Sequence, residues 1–139
     1  MSDQYEAQQI TFAVPGNPKP KERPRFVKGY AYTAKGTRDY EKTVQVSAMK
    51  ALTKWRREND GRHWTGIGRF SLNCFLFFDD KRNRDIDNCV KAISDALNGM
   101  LYDDDNQIDE LYAYRDHDKR EPRAVITVRR LSIAGKKKK

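Results

Sequence analysis

The sequence predicts an α+β fold: a single small domain in which a mixed β-sheet packs against two main helices. Three observations point there. At 139 residues the chain has room for one core. Four long segments carry strand patterning, and two carry apolar residues at the three- and four-residue steps of a buried helix face. Hydrophobic residues make up only 37% and charged residues 35%, so the core is thin and association with another copy is one way to gain burial.

Taken in order, residues 9–14 (QITFAV) read as a strand ended by Pro15 and Gly16. The next stretch, GNPKPKERPRF, alternates Pro18, Pro20 and Pro24 with Lys19, Lys21, Arg23 and Arg25. Proline fixes φ and lacks an N–H, which excludes a helix or an inner strand. An extended, exposed basic arm is expected, either a solvated loop or a clamp on phosphates. Residues 27–32 (VKGYAY) read as a hairpin turning near Lys28–Gly29, and Thr33 or Thr37 is placed to cap the helix that follows. From Thr37 to about Arg57 the positions Tyr40, Val44, Ala48, Ala51, Leu52 and Trp55 form one apolar face; Lys42, Lys50, Lys54, Arg56 and Arg57 lie on the other. Trp55 reads as core rather than as a base-stacking platform.

Residues 58–68 read as loop, with His63 at the surface. Residues 69–78 (RFSLNCFLFF) read as a strand with Phe70, Leu72, Cys74, Leu76 and Phe78 on one face. Phe75 and Phe77 on the other suggest that both faces are covered near its end. A second helix follows Asp87, its N-cap by residue type, with Val90, Ile93 and Leu97 as the buried stripe and Gly99 as its end. Residues 108–115 and 124–133 read as two further strands joined by a polar connection. The domain is expected to span 1–135, with 136–139 a basic tail. Cys74 and Cys89 sit in apolar surroundings without CxxC spacing, which suits buried thiols in a reducing compartment better than a metal site or a disulfide. No apolar run reaches membrane-spanning length and no signal peptide is indicated, so a cytoplasmic protein is expected.

The charge is unevenly placed. Lys and Arg number 28 against 20 Asp and Glu, a net +8. That surplus suits a polyanionic partner, or merely solubility. Yet twelve of the acidic residues fall between positions 79 and 118. Asp85 and Asp87 would point about 200° apart in a helix but share a face in an extended chain. Alone, such a pair is often a cap and a turn. Asp103, Asp104 and Asp105 repel one another, and a divalent cation would relieve that repulsion. An EF-hand is excluded, because the loop's sixth position would be Val90 or Ile108 where glycine is needed. Mg²⁺ favours one or two carboxylates plus water and phosphate oxygens, and Lys91, one helical turn after Asp87, reaches toward the same place. An acidic pocket on a basic surface suits a metal-dependent nuclease. A non-catalytic DNA-binding module using Tyr30, Tyr32 and Trp64 is the competing reading, and a nuclease for flaps or other branches a third.

The run Arg84-Asp85-Ile86-Asp87-Asn88, then Lys91, then Asp95-Ala96-Leu97, then Asp104-Asp105 with Gln107, resembles the signature of the RusA family of Holliday junction resolvases, common on bacteriophages and prophages. The likeness runs from about residue 11 to 131 and is dense over 84–108. It implies a dimeric α+β endonuclease that uses Mg²⁺, or Mn²⁺ in its place, to nick four-way or branched DNA, in the bacterial host cytoplasm where the protein is phage-encoded. The family's essential carboxylates fall on Asp85, Asp87 and Asp105, with Asp104 an auxiliary metal position. Lys91 matches the catalytic lysine, and Arg84 would contact DNA. With Arg84, the residues Lys21, Arg23 and Arg25 make up the expected DNA-binding set. Asp103 is a third aspartate that the family pattern lacks; spacing back from Gln107 selects Asp105.

Overall fold

The structure, a computed structural model, describes residues 8–22, 25–32 and 35–133. Its centre is a four-stranded sheet in the order β1-β6-β4-β5. Here β1 is Gln9–Pro15, β4 Arg69–Phe78, β5 Ile108–His117 and β6 Arg123–Ser132. β6 pairs antiparallel with both β1 and β4, whereas β4 and β5 run parallel. The sheet is therefore mixed, as the sequence predicts. A separate hairpin joins β2 (Arg25–Val27) to β3 (Tyr30–Tyr32). Its turn residues Lys28 and Gly29 both have positive φ, 52° and 82°, the conformation that matches the twist of a two-residue hairpin loop.

Two helices, α1 (Lys35–Glu58) and α2 (Ile86–Ala96), lie on one face of the sheet. α2 is the crossover that parallel strands β4 and β5 require. Phe70, Leu72, Cys74, Leu76 and Phe78 are at most 1% exposed. They pack with Ile10, Phe12, Val14, Ile126 and Val128 beneath Tyr40, Val44, Ala48 and Trp55 of α1 and Val90 and Ile93 of α2. The opposite face differs from expectation: Phe75, Tyr112 and Tyr114 are exposed, because both helices take the same side and nothing among the described residues covers the other.

Helix limits also shift. α1 starts at Lys35, two residues before Thr37. Thr37 lies inside the first turn, fully buried, and its hydroxyl accepts a 2.8 Å hydrogen bond from the Glu22 N–H instead of capping. Thr33 lies outside the described residues. α2 is capped by Asp85, not Asp87, and ends at Ala96, before Gly99. Gly99 (φ 77°) instead turns the chain toward Leu101 and Tyr102, its N–H bonded to the Tyr102 carbonyl at 2.7 Å. Gly68 admits no other residue: its φ is 115°, and a Cβ there would stand 2.1 Å from the Ser132 carbonyl oxygen.

Both cysteines are buried and unbridged. Burial pushes the Cys74 thiol up to about 12 and the Cys89 thiol up to about 11. No helix among the described residues is long and apolar enough to cross a membrane. The 136–139 tail lies outside the described residues.

Candidate active site

β4 delivers the chain to the site. At its end Asp79 and Asp80 pair with Arg84, whose Nη2 is 2.9 Å from Asp80 Oδ1 and 3.7 Å from Asp79 Oδ1, and Asp80 also pairs with Arg82. The guanidinium lies over the Phe78 ring, 5.1 Å from its centroid. The Arg84 hydrogen bond leads the effects that hold the Asp80 carboxyl down at about 2. Arg84, expected to contact DNA, is thus largely buried and committed to two neighbouring carboxylates. Its buried Nε has no partner among the described residues.

The start of α2 separates the two carboxylates of the Asp-Ile-Asp pair. Asp85 folds back onto Asn88, accepting from its main-chain N–H at 3.2 Å and its side-chain amide at 2.7 Å. That cap satisfies one of the donors a helix start leaves open. Asp87 sits in the first helical turn, exposed and without an ion pair or hydrogen bond from its side chain among the described residues. The helix's positive end favours negative charge at both positions.

The second acidic segment is a 3₁₀ turn, Asp105–Gln107, capped by Asp104. Asp104 Oδ2 accepts from the Asn106 N–H at 2.9 Å, and Gln107 Oε1 accepts from the Asp104 N–H at 2.9 Å. The other end of the Gln107 amide donates to the carbonyls of Gly66 at 2.7 Å and Gly68 at 3.0 Å. The turn is therefore fastened to the loop preceding β4. Asp103 is exposed and Asp105 half-buried.

A chain of alternating charges joins these segments. Lys91 Nζ lies 3.6 Å from Asp105 Oδ2 and 3.2 Å from Asp95 Oδ1. Asp95 also binds Lys21, and Lys21 lies 3.8 Å from Glu41 on α1. Burial alone would raise the Asp95 carboxyl, but hydrogen bonds from Lys21 and Lys91 outweigh it and hold the group below the usual range. The hydrogen bond to Asp95, then its charge, raise the Lys91 ammonium, which stays a cation. Burial raises Glu41, with Lys21 pulling the other way.

The proline-rich arm is pinned rather than loose. Its Lys21 N–H donates to the Asn88 carbonyl at 2.9 Å, and Asn17 Oδ1 accepts from the Asp79 N–H at 2.9 Å. Pro18 is buried. Lys21, expected to bind DNA, is half-buried and ion-paired. Arg25 opens β2 in register with Tyr32; Arg23 lies outside the described residues. Sequence reading gave no role to Asp95, Glu41, Asn88 or Gln107. Asn88, Asp95 and Gln107 stood only as members of the family signature, and Asp95 also carried a local signal, its four-residue spacing from Lys91 on a helix.

The expected acidic pocket is not preformed as one cluster of ligands among the described residues. Among the described residues no three Asp, Glu, His or Cys side chains gather as a metal-binding group. Carboxylates repel one another, and the side chain against Asp105 is the cation Lys91. The donors still suit a hard cation: they are all carboxylate oxygens, and Mg²⁺ takes only one or two from protein. Lys91 bridges the gap, since its Cα lies about 6 Å along α2 from that of Asp87 and its amine touches Asp105.

Carboxylates at the start of α2 and in the 3₁₀ turn, joined through the Lys91–Asp105 ion pair on a strongly basic chain, suit one class: an enzyme that cuts a nucleic-acid backbone. The sequence profile of the family described as Endodeoxyribonuclease RusA matches residues 15–129. The chain belongs to that family and is an endodeoxyribonuclease of the Holliday-junction-resolving kind, with branched DNA as its implied substrate. No curated protein matches it significantly.

Proposed function

We propose that this endonuclease resolves four-way junctions by paired nicks in opposed strands, with Mg²⁺ or Mn²⁺ as cofactor, in the cytoplasm of a bacterial host. Nucleases of this kind generally require a metal. Asp85, Asp87, Asp104 and Asp105 are the residues that would hold the ion, which when bound supplies an activated water and charge neutralisation at phosphate. Asp87 offers both oxygens, whereas Asp85 and Asp104 offer lone pairs left over from capping. Lys91 places a fixed positive charge beside the reacting phosphate and stabilises the charge that builds up on it. It serves as an electrostatic group, not a base, because Asp95 keeps it protonated. Arg84, Arg23, Arg25 and Lys21 orient the DNA backbone, with Lys21 and Arg84 acting also through the carboxylates they already bind.

The observation that carries this reading is the Lys91–Asp105 contact, which ties the helix bearing Asp87 to the second acidic segment. The test is nicking of a synthetic four-way junction in Mg²⁺ and in EDTA. Cutting that persists in EDTA rejects the metal assignment; preference for flaps over junctions rejects the substrate.

Two symmetric nicks call for two active sites, and a twofold dimer supplies them. The open sheet face supports that arrangement: Phe75 and Tyr114 stack with centroids 4.6 Å apart and Tyr112 is exposed beside them, an aromatic patch suited to a partner. Analytical ultracentrifugation of the wild type and of Phe75→Lys checks it; a wild type that sediments as a monomer rejects the dimer.

A further inference from the structure

A groove of about 800 Å³ runs along the flank of α1 that faces β1. It lies on the opposite flank from Glu41 and Gln45, which reach toward α2. Two features create it. Thr43, Ser47 and Ala51, small residues at four-residue steps, keep the helix surface low. Among the described residues β1 is an edge strand, paired only with β6.

Trp55 Nε1 donates to the Gln9 carbonyl at 2.8 Å, so that carbonyl points away from β6 and into the groove. Main-chain direction alternates along a strand pair, so the N–H and C=O groups of Thr11 and Ala13 face the groove as well. None of the described residues bonds to them from that side. Pro15, at the next outward position, ends the open edge, as suits a residue without an N–H. Above this edge stand Lys42, Lys50 and Lys54, all exposed.

We propose that this groove binds an extended peptide, acidic in its middle, that adds a strand to β1. Strand addition uses the free main-chain groups for affinity and alternate side chains for choice. Lys42 to Lys54 span about 18 Å of helix, the length of about five extended residues. Carboxylates of the peptide meet the three lysines, and the intervening apolar side chains lie against Val46 and Ala51. Duplex DNA is the poorer occupant: it offers no alternating N–H and C=O groups to a strand edge, and Asp39 and Glu58 close the two ends of the groove against a continuous phosphate backbone.

The probe is a set of synthetic peptides in which acidic and apolar residues alternate, with basic and proline-substituted versions as controls, titrated into the full chain. Binding by the acidic peptides, with amide NMR shifts centred on Thr11 and Ala13, is the expected result. Lys50→Glu/Lys54→Glu weakens it by about tenfold or more, and Ser47→Arg, which fills the groove, blocks it while junction nicking continues at the wild-type rate. The double variant changes only exposed side chains, so it serves if Ser47→Arg does not fold. If the acidic peptides leave the Thr11 and Ala13 amides unmoved and Lys50→Glu/Lys54→Glu weakens junction binding, the lysines serve DNA and the proposal fails. If neither ligand responds, the lysines only guard an exposed strand edge, and it fails equally.

Discussion

At the start of α2, Asp85 turns its carboxylate back onto Asn88, while Asp87, two residues on, leaves its own exposed and, among the described residues, unpaired. The 103–105 run divides its work in a similar way. Asp104 is spent on a cap, whereas Asp105 faces the lysine of the neighbouring helix. In each segment one aspartate builds the backbone that presents the next. A crowd of like charges is thus tolerable because some of its members are held by hydrogen bonds within their own segment. Asp80, fixed by Arg84, belongs with the builders.

The sharpest way to break this comparison is to neutralise the presented carboxylates. Asp87→Asn is expected to abolish junction nicking, to below about one part in 10³ of wild type, while junction binding and thermal stability hold. Asp105→Asn should behave alike. Nicking by Asp87→Asn at the wild-type rate would remove it from the active site. Next in size, Lys91→Ala should lower kcat by about 10²-fold, the scale for one electrostatic donor to a developing charge, with little change in DNA affinity.

Asp95→Asn sharpens the contrast from the other side. It loosens Lys91 and Lys21 without touching the presented carboxylates, so about a tenfold loss of nicking is expected. It also alters the acid limb of stability. The Asp95 carboxyl is depressed in the folded protein, so its contribution is present above its ordinary, unfolded pKa and disappears as pH falls through the folded one. Tm measured between about pH 5 and pH 2 should therefore fall less steeply in the variant than in the wild type.

A builder should cost structure when its cap is lost. Asp104→Ala is expected to lose about 1 kcal/mol in urea denaturation, and Asp104→Asn, which keeps a capping oxygen, much less. Equal losses would mean that charge rather than the cap holds the turn. The smallest effect is chemical silence. With both thiols raised by burial, Cys74 and Cys89 should resist a thiol reagent at pH 8 until the protein is unfolded.

Much of the fold was legible because hydrophobic periodicity is a local signal. The strand expected at 69–78 is β4, residue for residue, and the other long strands and both helices fall within a few positions of expectation. The misplaced N-cap has a local cause too. Asp85 and Asp87 are equally good caps by residue type, and Val90, Ile93 and Leu97 define the buried stripe without fixing which turn comes first. Strand order, the parallel β4–β5 pair and the bare face around Phe75 depend on which side the helices take, which no single segment states. The same holds for the site. The Asp-Ile-Asp pair and Lys91 could be read from spacing, but the link from Lys21 to Asp95, 74 positions apart, exists only once the arm has folded over α2.

The pairing of β1 with β6 sets Gln9 opposite Arg129 and Pro15 opposite Arg123. During synthesis on the ribosome, β1 therefore waits for more than a hundred residues before its partner exists. Until then its apolar side chains have only the parts of the core made before β6 for shelter. A nascent chain stalled before residue 123 should be a ready client for chaperones, and the released protein should complete its sheet in one late, cooperative step.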